Sequence, residues 1–269
     1  MKIIISGAAG RMGRAILESL YQEEELELGA ALEKKDHPAL GKDVGLLIGI
    51  GEWGLRATDR IKKAVTQGDV IIDFTYPQST LKLVQEAKIK KKAMVIGTTG
   101  FTKDHENKIR EAAKKIPIVL SPNMSVGVNV MFKLMTDAAR ALGPSYDIEI
   151  LEIHHRQKKD APSGTALRMA EMLAVAREVS LAAVGRFSRQ GNIGPRKPGE
   201  IGVQSLRAGD VVGEHTVVFA GLGERVELTH KAHSRNNFSR GALMAASWVV
   251  DQAPGLYDML DVLQLKESK

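Results

Sequence analysis

The stretch Glu152-Ile153-His154-His155-Arg156-Gln157-Lys158-Lys159-Asp160-Ala161-Pro162-Ser163-Gly164-Thr165 gathers proton donors, fixed positive charge and a helix start within fourteen residues. Histidine is the side chain best suited to proton transfer near neutral pH, which makes His154 and His155 candidates for that work. Lys158 adds a fixed charge or a second proton donor. An extended strand through residues 146–155 would send His154 and His155 to opposite faces, so that one of them is a buried structural histidine; a local bend would change this. Two histidines also raise the question of a metal, but no Asp/Glu/His array at ligand spacing accompanies them, and none is expected to bind. Pro162-Ser163-Gly164-Thr165 reads as a helix start capped by Asp160 or Ser163. Open N–H groups and the positive helix end would suit a carboxylate, though the same residues would also serve simple capping. Together this is equipment for holding an anionic substrate and giving it a proton.

A second group opens the chain. Gly7-Ala8-Ala9-Gly10-Arg11-Met12-Gly13 spaces its glycines as G-x-x-G-x-x-G, a departure from the stricter G-x-G-x-x-G dinucleotide fingerprint. Its setting favours a nucleotide, because a strand pattern precedes it and a helix pattern follows. Glycines permit the tight turn and the close approach of backbone to a pyrophosphate, and the helix start points N–H groups at phosphate. A strand–helix turn without a ligand would look the same. Glu33 ends the next strand pattern, twenty residues past Gly13, where an acid bonds a ribose 2′-hydroxyl. Lys34 and Lys35 follow and suit a 2′-phosphate, or are exposed lysines beside an exposed glutamate. Both features at one strand end predict use of NADH and NADPH. Gly97-Thr98-Thr99-Gly100 and Ser121-Pro122-Asn123-Met124 each follow a strand pattern, at the carboxyl ends where ligands bind in a parallel sheet. Either would also serve as an ordinary turn.

These residues need a frame. Residues 2–6 form a short apolar strand ending in glycine, 10–22 read as a helix with Ala15, Ile16, Ser19 and Leu20 on one side, and 26–32 as the next strand. Val70-Ile71-Ile72-Asp73-Phe74 is a β-branched run suited to a strand buried on both faces. Residues 79–92 are roughly helical in their apolar spacing, and strands at 93–97 and 118–120 flank a helix at 103–115. This βαβα rhythm predicts an α/β fold, a Rossmann-like doubly wound parallel sheet. After about residue 125 the pattern changes. One long helix at 126–142 leads into strands at 146–155, 202–207, 211–220 and 225–232, interrupted by a helix at 163–179. These predict a second, α+β domain with a mostly antiparallel sheet. Residues 185–202 hold five glycines, two prolines and three arginines and read as a flexible loop, a candidate lid. The chain returns to helix from residue 239.

At 269 residues the chain accommodates one large domain or two ordinary ones, and 43% hydrophobic content supports a proper core. With no cysteine, disulfides, thiolate metal sites and a Cys nucleophile are excluded. Neither a signal-peptide pattern nor an apolar run of about 20 residues is found, so a soluble cytoplasmic protein without a membrane partner is expected. A net charge of +6 would suit nucleic acid, an anionic membrane surface or acidic small ligands. Aromatics make up only 4% and none interleave with the lysine clusters as stacking platforms, so nucleic acid is not expected. Two rival readings are another two-domain NAD(P)-dependent dehydrogenase acting on an amino acid or sugar, and a non-catalytic NAD(P) sensor. The segment from His154 to Thr165 argues against the first, and a sensor has no use for His154 with Lys158.

Nearly the whole chain resembles the dihydrodipicolinate reductase family, which acts in lysine and diaminopimelate biosynthesis. The resemblance rests on the opening glycines, Asp73-Phe74-Thr75, Gly97-Thr98-Thr99-Gly100-Phe101 and Ser125-Val126-Gly127-Val128-Asn129. It continues through His154-His155-Arg156 with Lys158, residues 160–166, Arg207-Ala208-Gly209-Asp210, Gly213-Glu214-His215 and Thr229-His230-Lys231-Ala232. It implies a nucleotide-binding domain at 1–125 and 236–269, a substrate-binding and oligomerisation domain at 126–235, and a homotetramer built on the central sheet. The implied reaction is NAD(P)H-dependent reduction of a ring dicarboxylate, 4-hydroxy-tetrahydrodipicolinate, to tetrahydrodipicolinate with loss of water. By the same resemblance Gly7, Ala8, Ala9, Gly10, Arg11, Met12 and Glu33 meet the cofactor, as do Gly97, Thr98, Thr99, Ser121, Pro122, Asn123 and Met124. His154 and Lys158 match the residues assigned to proton donation, and His155, Gly164 and Thr165 match substrate contacts. Tyr76 and Lys34 stand where some members carry arginine. Arginine makes a planar fork to phosphate and lysine does not, so these departures bear on cofactor preference and leave the reaction unaffected.

Overall fold

In the computed structural model, which describes residues 1–266, the chain begins as a regular alternation of strands and helices. β1 (Lys2–Ser6) leads to α1 (Arg11–Tyr21) and β2 (Glu27–Leu32), then to two short helices, α2 (Val44–Ile48) and α3 (Ile61–Ala64). β3 (Val70–Asp73), α4 (Pro77–Lys90), β4 (Ala93–Ile96), α5 (Lys103–Ala113) and β5 (Pro117–Leu120) complete this part. There follow α6 (Val126–Leu142), β6 (Asp147–His154), α7 (Gly164–Ala176), α8 (Leu181–Val184), β7 (Gly185–Arg186), β8 (Ile201–Arg207), β9 (Gly213–Ala220) and β10 (Arg225–Ala232). The chain ends in α9 (Asn236–Val249), β11 (Gly255–Tyr257) and α10 (Met259–Val262).

Two compact units result. The first combines Met1–Val126 with the chain from Arg235 onward. Its six-stranded sheet has the order β11-β5-β4-β3-β1-β2, and every ladder is parallel. The strand order reverses at β1, so the carboxyl ends of β1 and β3 flank the crevice where doubly wound sheets take ligands. Alternation along each strand sorts the core into two layers. Ile3, Ile5, Val70, Ile72, Val95 and Val119 join Ile16, Leu17 and Leu20 of α1 and Ala242, Ala245 and Val249 of α9. Ile4, Ile71, Met94, Ile96 and Ile118 face the other way, onto Leu83 and Val84 of α4 and Ile109 of α5. β11, only three residues long, was not visible in the sequence pattern.

The second unit is the contiguous run Gly127–Ser234. Its five strands are ordered β10-β9-β6-β8-β7. The antiparallel ladders β10–β9 and β9–β6 carry most of the pairing, while β8 lies parallel to β6 and to β7. A parallel neighbour needs a crossover, and α7 lies between β6 and β8 in the chain. α6 and α7 pack on one face, where Met131, Phe132, Met135, Met169 and Leu173 meet Ile148, Ile150, Val203, Val217 and Phe219. The segment expected to be a flexible loop is fastened along β6. Arg189 grips both Glu149 carboxylate oxygens at 2.8 Å, and Arg196 reaches Glu149 at 3.0 Å. Its composition suits a loop, and its arginines tie that loop to the strand. No helix among the described residues is long and apolar enough to cross a membrane.

Candidate active site

In the first unit the turn from β1 to α1 depends on Gly7, whose φ of 75° lies in the left-handed region. The Gly7 and Ala8 amides donate to the Leu32 carbonyl at 2.9 and 3.1 Å, which ties the turn to the end of β2. Gly13 packs so closely that a Cβ there would fall 2.1 Å from the Gly7 carbonyl oxygen. Gly10 caps α1 with no side-chain hydrogen bond, and no acidic residue sits in the first turn. Arg11 and Met12 open that turn, which keeps its amides and its positive end for an anion. The Glu33 carboxylate accepts from the Ala9 amide at 3.1 Å and the Lys34 amide at 2.9 Å, so the acid sits over the glycine turn. Gly7, Gly10, Glu33, Lys34 and Tyr76 are among the walls of a cleft of about 720 Å³. An uncapped helix start, a glycine turn with no room for side chains, and an acid beside lysines together fit the phosphates and ribose of a nicotinamide dinucleotide.

Gly97, Thr98, Thr99, Ser121, Pro122, Asn123 and Met124 are not among the residues lining that cleft. They shape the neighbouring strand ends. Thr98 Oγ1 donates to Asp73 Oδ2 at 3.0 Å and accepts from the Thr75 amide at 2.9 Å, cross-linking the ends of β3 and β4. Burial pushes the Asp73 carboxyl above its ordinary range, against the pull of hydroxyl groups from Thr80, Ser6, Thr75 and Thr98. Ser121 Oγ donates to the Asn123 carbonyl at 2.8 Å, and Asn123 Oδ1 accepts from the Ser125 amide at 2.9 Å. Met124 is buried.

In the second unit the buried face of β6 runs Ile148, Ile150, Glu152, His154. Period-two alternation thus carries a carboxylate and an imidazole into line with the core. Glu152 is 0% exposed and His154 9%. His154 Nδ1 meets Glu152 Oε2 at 2.5 Å. Arg207, opposite His154 in the parallel ladder, forks onto both Glu152 oxygens at 2.9 Å, and the Ser163 amide donates to Oε1 at 3.1 Å. Burial raises Glu152, but the hydrogen bonds from His154, Arg207, Ser205 and Ser163 outweigh it and hold the carboxyl well below its usual range. His215 lies opposite Glu152 on β9, its ring edge-on to His154 with centroids 5.1 Å apart. Burial, with His154 close by, pushes the His215 imidazole down to about 3, so it is neutral at physiological pH.

The strand ends at His154, so His155 lies in the turn that follows and the opposite-face relation expected of a continuous strand does not apply. Lys158 Nζ holds both Asp160 oxygens at 2.9 Å. That ammonium keeps the Asp160 carboxyl below its ordinary range. Ser163 is the cap of α7, its hydroxyl accepting from the Ala166 amide at 3.2 Å, and Asp160 is not. Gly164 and Thr165 begin the helix, with open space where a Gly164 side chain would be. Arg207 Nη2 also donates to the Asp160 carbonyl at 2.6 Å, which pins the lysine segment to the Glu152 cluster.

Comparison with known proteins matches residues 1–124 to the family model "Dihydrodipicolinate reductase, N-terminus" and residues 127–263 to "Dihydrodipicolinate reductase, C-terminus". The chain belongs to the dihydrodipicolinate reductase family. A relative in Syntrophus aciditrophicus called 4-hydroxy-tetrahydrodipicolinate reductase is 53% identical, with 98% of each chain covered. One of the same name in Geotalea daltonii is 50% identical over 99% of this chain and 100% of its own. Among solved structures, a dipicolinate-bound dihydrodipicolinate reductase from Paenisporosarcina sp. TG-14 has a TM-score of 0.77 at 26% identity, covering 97% of this chain and 98% of that one.

Within this dihydrodipicolinate reductase framework, sequence reasoning found His154, Lys158 and the α7 start but gave no role to Glu152, Arg207, Gly213 or His215. Glu152 had a readable signal, since it lies two residues before His154 and so on the same strand face. Arg207 and His215 reach the cluster only through the registers of β8 and β9, which no local pattern encodes.

Proposed function

We propose that this chain reduces 4-hydroxy-tetrahydrodipicolinate to tetrahydrodipicolinate with loss of water, using NADH or NADPH, in lysine and diaminopimelate biosynthesis. The observation that carries the site reading is the end of β6, where Glu152 holds the buried His154 and, with Arg207, is tied to the lysine–helix-start segment. The bound nicotinamide supplies the hydride. His154 delivers the proton that the reduced ring takes up. Lys158 exchanges Asp160 for a substrate carboxylate and steadies the charge that develops on the ring. His155 and the first residues of α7, Gly164 and Thr165, hold a carboxylate through hydrogen bonds and the positive helix end.

The glycine turn with Arg11 and Met12 takes the pyrophosphate, Glu33 a ribose hydroxyl, and Lys34 a 2′-phosphate where one is present. Gly97, Thr98, Thr99, Ser121, Pro122, Asn123 and Met124 form the strand ends that border the nicotinamide half. We place the enzyme in the cytoplasm as a homotetramer. Leu151, Ile153, Leu206 and Val218 alternate with the core positions of β6, β8 and β9, which puts them on the sheet face away from α6 and α7, a surface suited to a second copy. Light scattering at assay concentration tests this, and a monomer mass refutes it.

The function is tested by following NADH and NADPH oxidation with substrate freshly generated from pyruvate and aspartate semialdehyde by a synthase. Rapid, substrate-dependent oxidation is expected. Cofactor binding without oxidation overturns the assignment.

A further inference from the structure

We propose that Glu152, clamped by Arg207, is the positioning residue for the proton donor: it fixes His154 in the Nδ1–H form, so that Nε2 is the atom that exchanges protons. This rests on the reading of His154 as that donor. An ionised carboxylate only accepts, so each group around Glu152 has to donate to it. Oε1 receives Arg207 Nη2 at 2.9 Å and the Ser163 amide at 3.1 Å. Oε2 receives Arg207 Nη1 at 2.9 Å and leaves His154 Nδ1, at 2.5 Å, no role but donor. A carboxylate that holds one imidazole nitrogen in this way sets both the tautomer and the ring plane.

The other edge of the ring lies over Gly213. A Cβ there would stand 3.0 Å from Nε2, so the glycine leaves that nitrogen uncrowded. The remaining neighbours do not compete for the role. His215 stays neutral, with Nε2 3.1 Å from Ser163 Oγ, and Lys158 stays engaged with carboxylates, Asp160 here and that of the substrate in turnover. Arg207 cancels the charge of Glu152, so the carboxylate orients the ring without adding net negative charge beside an anionic substrate. In turnover, imidazolium Nε2–H gives its proton to the reduced ring. The neutral ring that remains keeps its proton on Nδ1, donated to the Glu152 carboxylate, and regains the Nε2 proton from water.

Two measurements test this. In 15N spectra of histidine-labelled protein in alkaline solution, with the His154 signal assigned through His154→Gln, a protonated Nδ1 and a bare Nε2 are expected. The opposite tautomer overturns the proposal, whatever the variants do. In kinetics, Glu152→Gln is expected to lower kcat about 10- to 100-fold with little change in KM, the range for residues that orient a reacting group from behind. If that variant does not fold, Glu152→Gln combined with Arg207→Met, which leaves no lone buried charge, is measured in its place with the same expectation. Wild-type kcat in a folded variant overturns the positioning role. Wild-type kcat in His154→Gln instead sinks the reading of His154 itself, so the two failures are distinguishable.

Discussion

Removing one member of a buried ion pair strands the other charge, a loss of about 3–5 kcal/mol, whereas an exposed pair contributes about 0–1 kcal/mol. Glu152 is fully buried, while both side chains of the Lys108–Asp104 pair are more than half exposed. Arg207→Met is therefore expected to cost about 3 kcal/mol in urea unfolding, near the lower limit because Arg207 is itself partly exposed, and Lys108→Met to leave the urea midpoint where it is. Equal losses would show that the Glu152 cluster is more hydrated than its geometry implies. At Gly213 the expected defect is catalytic. A methyl group 3.0 Å from His154 Nε2 forces the ring aside by a few tenths of an ångström, so Gly213→Ala should lower kcat about tenfold with an unchanged melting temperature. At this scale the sequence displayed the chemical groups but not their pairing. His154 and Lys158 stand out by type, whereas Arg207 gains meaning only opposite His154 across a ladder.

Among the elements, those long enough to show a period were legible. The helix expected at 126–142 and the strand at 225–232 have those bounds in α6 and β10. α2, α3 and β11 run five, four and three residues, too short for any period to declare itself. α9 begins at Asn236, three residues before the expected start, because Phe238 is the lone apolar residue of its first turn and one residue shows no period. The β1–α1 turn makes a firm prediction. With 2.1 Å between a Gly13 Cβ and the Gly7 carbonyl, Gly13→Ala has to move the helix start away from the strand. Calorimetry should then show loss of binding for NADH and NADPH alike, and retained affinity would place the phosphates elsewhere. Charge reversal at Lys34, by contrast, should weaken NADPH more than NADH, and equal losses would remove Lys34 from 2′-phosphate recognition.

For the whole molecule the buried groups of the second unit set an acid limit. Native His215 stays neutral down to about 3, while in the unfolded chain it gains a proton below its ordinary 6.5, so its contribution is present above that value and drains away as pH falls. Glu152 adds a second loss below its ordinary 4.5, because the native carboxylate resists protonation and the unfolded one does not. The melting temperature should fall from pH 6.5 downward, and His215→Gln should flatten the part above 4.5. An unchanged slope would assign the acid sensitivity to other groups. The division of the chain also has a consequence for its synthesis. The second unit is complete once Ser234 has left the ribosome, whereas the first, though begun at Met1, lacks α9 and its edge strand until Tyr257 emerges. Translation therefore presents a finished middle between two unfinished ends. During that interval the α1 surface that α9 will cover, with Ser19 awaiting Ser239, is left open to aggregation.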